Sequence, residues 1–328
     1  MSNKLNFVEL LERLKGEGKA LILCHKSPDP DTLGSAFGLK AILEHLGMQA
    51  RVACADKPIS RFAFITGDSD LTFVDDNYDK IIAVDVSTKT QLGDLSYLSE
   101  RVDLIIDHHQ MNTDRFADYY EDFCASCAEI IYLIANALEI IPALGNSFGE
   151  SIYAGITGDT GGFRFSNTTR RTMEIGGELV RSGIDFAEIN RRIFDSKSIG
   201  EIRATRLTYD NMKLYSNGSL AIIMVTNKLK DEWNVTDEDI SDIVSLVRSI
   251  DGVLVAVSIK QNTLDPTKFA ISSRSSCDID VSAVCGLFGG GGHKRASGAT
   301  IIASRPDEAL KKCVVAFKSA IEEYKARF

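Results

Sequence analysis

The sequence predicts an α/β protein, in which a mostly parallel sheet with helices on both faces is joined by a helical linker to a smaller α+β domain. Three observations carry that prediction. In the first half, short apolar runs at 20–24, 49–53, 81–84 and 104–106 alternate with segments of helical periodicity, the pattern of strands buried on both faces by crossover helices. From about residue 211 the rhythm changes to more closely spaced strands at 212–215, 220–225, 253–260, 268–273 and 299–302. The length of 328 residues agrees, because one core of ordinary size takes about 150 residues. The expected division is 1–190, a linker over 191–209, and 210–328.

Taken in order, residues 6–14 form an amphipathic helix and 20–24 a short buried strand. His25, Asp29 and Asp31 follow that strand at once. Pro28 and Pro30 hold Ser27 and Asp29 out of helical geometry, so the spacing predicts carboxylates on a stiff extended loop ahead of a helix from Thr32 to His45. The competing local reading makes Asp31 the cap of that helix and Asp29 a solvated turn residue. The run 81–84 ends at Asp85, and 104–106 ends at Asp107-His108-His109. In a parallel sheet ligands sit beyond the carboxyl ends of the strands, so three strand ends are expected to deliver acids and histidines to one edge.

The apolar stretch 128–144 is interrupted by Glu129, Asn136, Glu139 and Pro142, which makes it a buried helix rather than a membrane span. A small-residue helix from Ser151 ends at Asp159, before Gly161 and Gly162. A carboxylate near a helix C-terminus opposes the macrodipole by roughly 0.3–1 kcal/mol, so a compensating cation is expected there. Helical patterns at 169–181 and 186–194 follow, and the charged segment 195–206 reads as an exposed connecting helix. In the second domain, Thr236-Asp237-Glu238-Asp239 introduces a helix over 237–248, and Ser304 opens another that runs to near Tyr324.

Composition excludes several function classes. Hydrophobic content of 44% with 25% charged residues is that of a folded protein without long disordered tracts. The net charge of −9 argues against binding long duplex nucleic acid, which runs on clustered Lys and Arg, but leaves room for a small phosphorylated substrate. No segment reads as an export signal or membrane anchor. The seven scattered cysteines fit a reducing cytoplasm; Cys124-Ala125-Ser126-Cys127 has redox or half-zinc spacing without the partners that would complete it.

The strand-end groups His25, Asp29, Asp31, Asp85, Asp107, His108, His109 and Asp159 would repel one another without compensation. Divalent cations remove that repulsion. A carboxylate and imidazole set without thiolates suits Mn²⁺, with Mg²⁺ and Fe²⁺ as alternatives, and so many ligands suit two ions about 3.5–4 Å apart, as in phosphoester hydrolysis. The second half carries Gly289-Gly290-Gly291-Gly292-His293-Lys294-Arg295, where backbone N–H groups and positive charge are suited to phosphate. Arg274 is a further candidate phosphate clamp.

In order, His25-x-x-Pro28-Asp29-x-Asp31-x-x-Gly34-Ser35, Asp85, Asp107-His108-His109 and Asp159 resemble the signature segments of the DHH phosphoesterases. Residues 289–298 resemble the glycine-rich signature of the DHH-associated C-terminal domain, and 161–167 is similar to the nanoRNase branch, which combines oligoribonuclease with 3′-phosphoadenosine-5′-phosphate (pAp) phosphatase activity. The resemblance implies one metal held by His25, Asp29 and Asp85, and another by Asp31, Asp85, His108 and Asp159, with Asp85 as the bridge. It implies that Asp107 orients a histidine, that His109 meets the substrate phosphate, and that Arg274, His293, Arg295 and the glycines Gly290, Gly291 and Gly292 hold substrate. Short oligoribonucleotides and pAp are the expected substrates, cyclic dinucleotides or their linear products the alternative, and a homo-oligomer is compatible. A non-catalytic nucleotide sensor would need a broken ligand set, and a dinucleotide-dependent oxidoreductase would need a glycine-rich turn where this chain has Pro28-Asp29-Pro30-Asp31. Pro30 stands where many relatives of the family place glycine, which stiffens the loop and removes no ligand.

Overall fold

The structure is a computed structural model that describes residues 2–75, 77–109 and 115–327. It divides into two compact units, residues 1–196 and 197–328. In the first unit the order is α1 (Phe7–Leu14), β1 (Lys19–Leu23), α2 (Pro30–His45), β2 (Gln49–Ala53), α3 (Ala63–Thr66), β3 (Lys80–Val84), β4 (Leu104–Asp107), β5 (Tyr119–Glu121), α4 (Cys127–Ala137), α5 (Ile141–Thr160), α6 (Arg170–Arg181) and α7 (Phe186–Asn190). The five strands are all parallel in the order β2-β1-β3-β4-β5. Because side chains alternate along a strand, Ala20 and Ile22 enter a core with α1, α2, α4 and α5, while Leu21 and Leu23 enter a second core on the other face. That second face is covered by the 3₁₀ stretch Lys89–Arg101, broken at Gly93, through Leu92, Leu95 and Leu98.

The register sets Leu23 beside Ala83 and Val84 beside Ile106, so the carboxyl ends of β1, β3 and β4 are level. The chain leaves β1 for β2 on one side and returns to β3 on the other, which opens a crevice at their ends. Helix α2 begins two residues earlier than the sequence suggests. Pro30 takes the first helical position, where its missing N–H costs nothing, and Asp29 caps the helix by accepting from the N–H groups of Asp31 (2.9 Å) and Thr32 (3.0 Å). Asp31 therefore sits in the first turn, not on an extended loop, and Asp29 rather than Asp31 is the cap. The apolar stretch 128–144 is two helices, parted where Glu139 turns left-handed. Among the described residues no helix is long and apolar enough to cross a membrane.

The second unit comprises α8 (Ile199–Asn211), β6 (Lys213–Tyr215), β7 (Leu220–Val225), α9 (Asn227–Trp233), α10 (Ile243–Arg248), β8 (Val255–Gln261), β9 (Lys268–Ser275), α11 (Val281–Gly286), β10 (Gly291–His293), β11 (Ala296–Ile302) and α12 (Pro306–Lys325). Its mixed sheet runs β10-β11-β9-β8-β7-β6, with β7 and β8 the parallel pair. The segment expected as an exposed connecting helix instead buries Ala204 and Leu207 of α8 against Ala221, Ile223 and Val247. The helix expected over 237–248 begins only at Ile243. Thr236 and Asp239 do bond reciprocally, but Asp237 is drawn aside by Lys230 (2.6 Å) and Thr263 (2.7 Å), so the capping pattern closes a turn.

Candidate metal and phosphate site

Six of the residues singled out in the first unit converge at the ends of β1, β3 and β4. His25 Nε2 lies 3.6 Å from Asp29 Oδ1 and 3.4 Å from Asp85 Oδ2. His108 Nε2 lies 3.8 Å from Asp31 Oδ2, 3.5 Å from Asp85 Oδ1 and 3.3 Å from Asp159 Oδ2. In both rings Nδ1 faces a backbone carbonyl, that of Lys26 for His25 (2.8 Å) and that of Cys124 for His108 (3.3 Å). A carbonyl only accepts, so Nδ1 carries a proton in each ring, and Nε2 is the atom turned toward the acids.

Local structure aims the acids. Asp85 has φ 56°, a left-handed conformation that Asp tolerates better than most residues, while its N–H stays in the sheet by donating to the Ile106 carbonyl at 2.9 Å. Asp31 is fully buried, and its carboxylate accepts from the N–H groups of Cys127 (2.7 Å) and Ala128 (2.9 Å) at the start of α4. Asp159 stands in the last turn of α5, and Asn167 Nδ2 ties its backbone carbonyl (3.1 Å) to that of Ala125 (2.9 Å).

The residues present fit a divalent cation. Donor atoms of His25, Asp29 and Asp85, of Asp31, His108 and Asp159, and of Asp85, His108 and His109 each lie within 4.8 Å of one another. Asp85 Oδ1 is buried without a hydrogen-bond partner. Burial, and then the charge of neighbouring Asp85 among others, pushes the Asp31 carboxyl up; burial and the charges of Asp29 and Asp85 do the same to Asp159. Burial lowers His25, but its bonds to Asp29 and Asp85 win and raise it to about 12, so without metal a proton sits between those two acids.

Asp107 has a different task. Its Oδ1 accepts from the His108 N–H (2.9 Å), the His109 N–H (3.2 Å) and His109 Nδ1 (2.7 Å), and its Oδ2 from Ser87 Oγ (2.9 Å) and Arg115 (2.6 Å). Five bonds saturate the carboxylate, which leaves no lone pair for an ion. Burial alone would raise its pKa, but the His109 and Arg115 interactions hold it well below the usual carboxylate range. Nδ1 is thus taken by Asp107, which leaves Nε2 as the other ring nitrogen of His109. The Asp107 bond and the surrounding acids outweigh burial and raise the imidazole to about 9.

Sequence reasoning missed Ser87, Arg115 and Asn167, and it weighed the Cys124 and Cys127 thiols when the backbone of that segment does the positioning. Both thiols are buried, unpaired and pushed up by burial. Asn167 closes the quoted segment 161–167, which was its signal; a lone arginine after the histidines offered none.

In the second unit the glycine run enters a hairpin. Gly291 pairs with Gly298 and His293 with Ala296, leaving Lys294 and Arg295 at the turn. Gly290 is required because a Cβ there would lie 2.2 Å from the Gly298 carbonyl oxygen. Ala296 in turn pairs with Arg274, which brings Arg274, His293 and Arg295 to one end of three neighbouring strands. Arg295 and Lys294 both reach Asp278, at 3.2 and 3.5 Å, on an exposed surface. Arg274 donates to the Ser273 carbonyl (3.0 Å), has no ion-pair partner among the described residues, and is held below its usual pKa by burial.

Residues 19–156 match the model of the DHH family, N-terminal domain, and residues 217–323 that of the DHHA1 domain. The chain is 30% identical over 298 residues to a probable bifunctional oligoribonuclease and PAP phosphatase NrnA of Streptococcus mutans, covering 89% of this chain and 93% of the relative. It is 27% identical over 299 residues, 89% and 92% of the two chains, to the bifunctional oligoribonuclease and PAP phosphatase NrnA of Bacillus subtilis. A crystal structure of an exopolyphosphatase-related protein from Bacteroides fragilis shares the fold, with a TM-score of 0.84 at 24% identity over 98% of this chain and 95% of that one. With both domain models matched in order along the strands and acids described above, the chain belongs to the DHH family.

Proposed function

We propose that the protein is a metal-dependent phosphoester hydrolase that cleaves short oligoribonucleotides and removes the 3′-phosphate of pAp, using two divalent ions, Mn²⁺ foremost. The observation that carries this reading is Asp85, buried at the β3 end and common to two of the donor groups, with one carboxylate oxygen unpartnered. His25, Asp29 and Asp85 would hold one ion, and Asp31, Asp85, His108 and Asp159 the other. Bound there, such ions supply Lewis acidity, which makes a water nucleophilic near neutral pH and offsets charge on the phosphoryl oxygens. Relatives named for both activities, matched along nearly the whole chain, support the substrate class.

The protein's own residues supply the rest. His109, its Nδ1 bonded to Asp107, meets a phosphoryl oxygen through Nε2, where charge grows in the transition state. Arg274, His293, Arg295 and the backbone of Gly290, Gly291 and Gly292 bind the remainder of the nucleotide. Arg274 is foremost among these, being a half-buried cation with no ion-pair partner among the described residues. The unpaired cysteines fit a reducing compartment.

The test is chromatography of products from the purified protein with Mn²⁺, given di- to pentaribonucleotides, pAp and a cyclic dinucleotide with its linear product, beside the Asp85→Ala variant. Hydrolysis of the first two, lost together with bound metal in Asp85→Ala, is expected. Turnover in excess chelator, or full metal occupancy in Asp85→Ala, would remove the basis of the reading.

A further inference from the structure

Arg115 lies between β4 and β5, and its side chain is 2% exposed. A guanidinium is costly to bury, so where its two terminal nitrogens point records what the burial serves. One terminal nitrogen donates to Asp107 Oδ2 (2.6 Å) and to the Val86 carbonyl (3.4 Å). The other donates to Glu121 Oε2 (2.9 Å) and to the backbone carbonyl of His109 (3.0 Å), and the plane lies over Tyr119 at 5.0 Å. Two of these contacts converge on His109 from opposite ends. Through Asp107, Arg115 pins Oδ2 so that Oδ1 faces His109 Nδ1; through the carbonyl, it fixes the backbone from which the ring projects.

We propose that Arg115 is a positioning residue that sets the direction of the His109 imidazole, acting through Asp107 and through the His109 carbonyl. Glu121 neutralises the guanidinium on the side away from Asp107 and takes no part in aiming the ring. A charge placed only to stabilise β5 would need the Glu121 contact alone. The kinetic consequence, though not the aim of the ring, rests on the functional reading above: a ring displaced by about 1 Å loses on the order of 100-fold in rate.

The test compares Arg115→Lys, which keeps the charge but offers one nitrogen in place of the fork, with Glu121→Gln. The readouts are the melting temperature, kcat and KM on a diribonucleotide with Mn²⁺, Mn²⁺ affinity by calorimetry, and the ¹⁵N-histidine NMR line of the His109 Nδ1 proton, identified by its loss in His109→Gln. Arg115→Lys is expected to fold, to bind Mn²⁺ within threefold of wild type, to move the His109 line upfield, and to lose at least 10-fold in kcat with KM within threefold. Glu121→Gln is expected to leave the line in place and kcat within about twofold. An unmoved line in a folded Arg115→Lys, or equal losses in the two variants, would reduce Arg115 to a structural ion pair. If Arg115→Lys does not fold, Arg115→Gln combined with Glu121→Gln removes both charges of that ion pair and is judged by the same line. The NMR signature needs no turnover, so a wild-type protein that hydrolyses nothing overturns the functional reading while the line still decides the role of Arg115.

Discussion

Replacing Gly34 by alanine tests whether the spacing of α2 and α5 sets the spacing of the metal-binding acids. Asp31 lies one turn before Gly34 on α2, and Asp159 lies further along α5 from Ser151. A Cβ on Gly34 would stand 2.3 Å from the Ser151 carbonyl oxygen and 3.1 Å from the Gly155 nitrogen, backbone on both counts. An ordinary carbon–oxygen contact is about 3.3 Å, so the helices must part by about 1 Å. Two effects compete. Alanine in place of a helical glycine gains about 0.5–1 kcal/mol, whereas overpacking between two rigid elements costs about 1–3 kcal/mol, and contact with main chain belongs at the upper end. The net is a loss of about 2 kcal/mol, or about 4–8 °C in the melting of a unit of this size. Gly177 on α6 is the control, because it is helical and exposed and a Cβ there meets nothing within 4 Å; Gly177→Ala should raise the melting temperature by about 1–4 °C. The assay is thermal unfolding with calorimetric Mn²⁺ titration, and Gly34→Ala should also lose at least about 10-fold in affinity as the acids separate, about 1.4 kcal/mol or more of binding. If Gly34→Ala melts at or above wild type and binds Mn²⁺ as tightly, the close approach of α2 and α5 does not set the site.

Two further outcomes follow from the charges. In the chelated protein Asp31 and Asp159 are raised, as are His25, to about 12, and His109, to about 9, so the folded state holds more protons than the unfolded one across pH 5–8. Stability of the chelated protein should therefore fall as pH rises through that window, and the melting-temperature gain from added Mn²⁺ should grow; the lowered acids Asp29 and Asp107 act only near and below their unfolded pKa of about 4. A chelated protein whose melting temperature is flat or rises from pH 5 to 8 would contradict the charge assignment. In the second unit, Arg274→Ala should raise KM on a pentaribonucleotide about 10- to 150-fold, the worth of a charge-assisted contact, with kcat little changed and no effect on a minimal chromogenic phosphodiester. Arg295→Ala should do less, because Arg295 is exposed and already shared with Asp278, and equal losses on both substrates would assign the hairpin to stability instead.

What was legible in the sequence is what buried strands forbid. Charge is costly beside an apolar run, so His25, Asp85 and Asp107, each placed where such a run stops, stand out without any knowledge of their partners. The level register of β1, β3 and β4 then makes three separate sequence facts into one site. Illegible features depend on groups far away in the chain. Asp31 is aimed by N–H groups of Cys127 and Ala128, and nothing near position 31 specifies them. The two cysteines drew attention as thiols, yet a carbonyl at 124 and an N–H at 127 would serve with other side chains, so residue type carries little of that signal. The glycine run is ambiguous for the opposite reason. Glycine permits both an anion cradle and the close approach of two strands, and only the Gly298 carbonyl beside Gly290 shows that the strands come close here. Arg115 is the extreme case: its sequence surroundings carry no motif, and its meaning comes wholly from the carboxylates and carbonyls that fold around it. Ligands that must meet a cation are therefore readable from where they interrupt hydrophobic runs, whereas residues that aim those ligands become visible only once the sheet has brought their acceptors together.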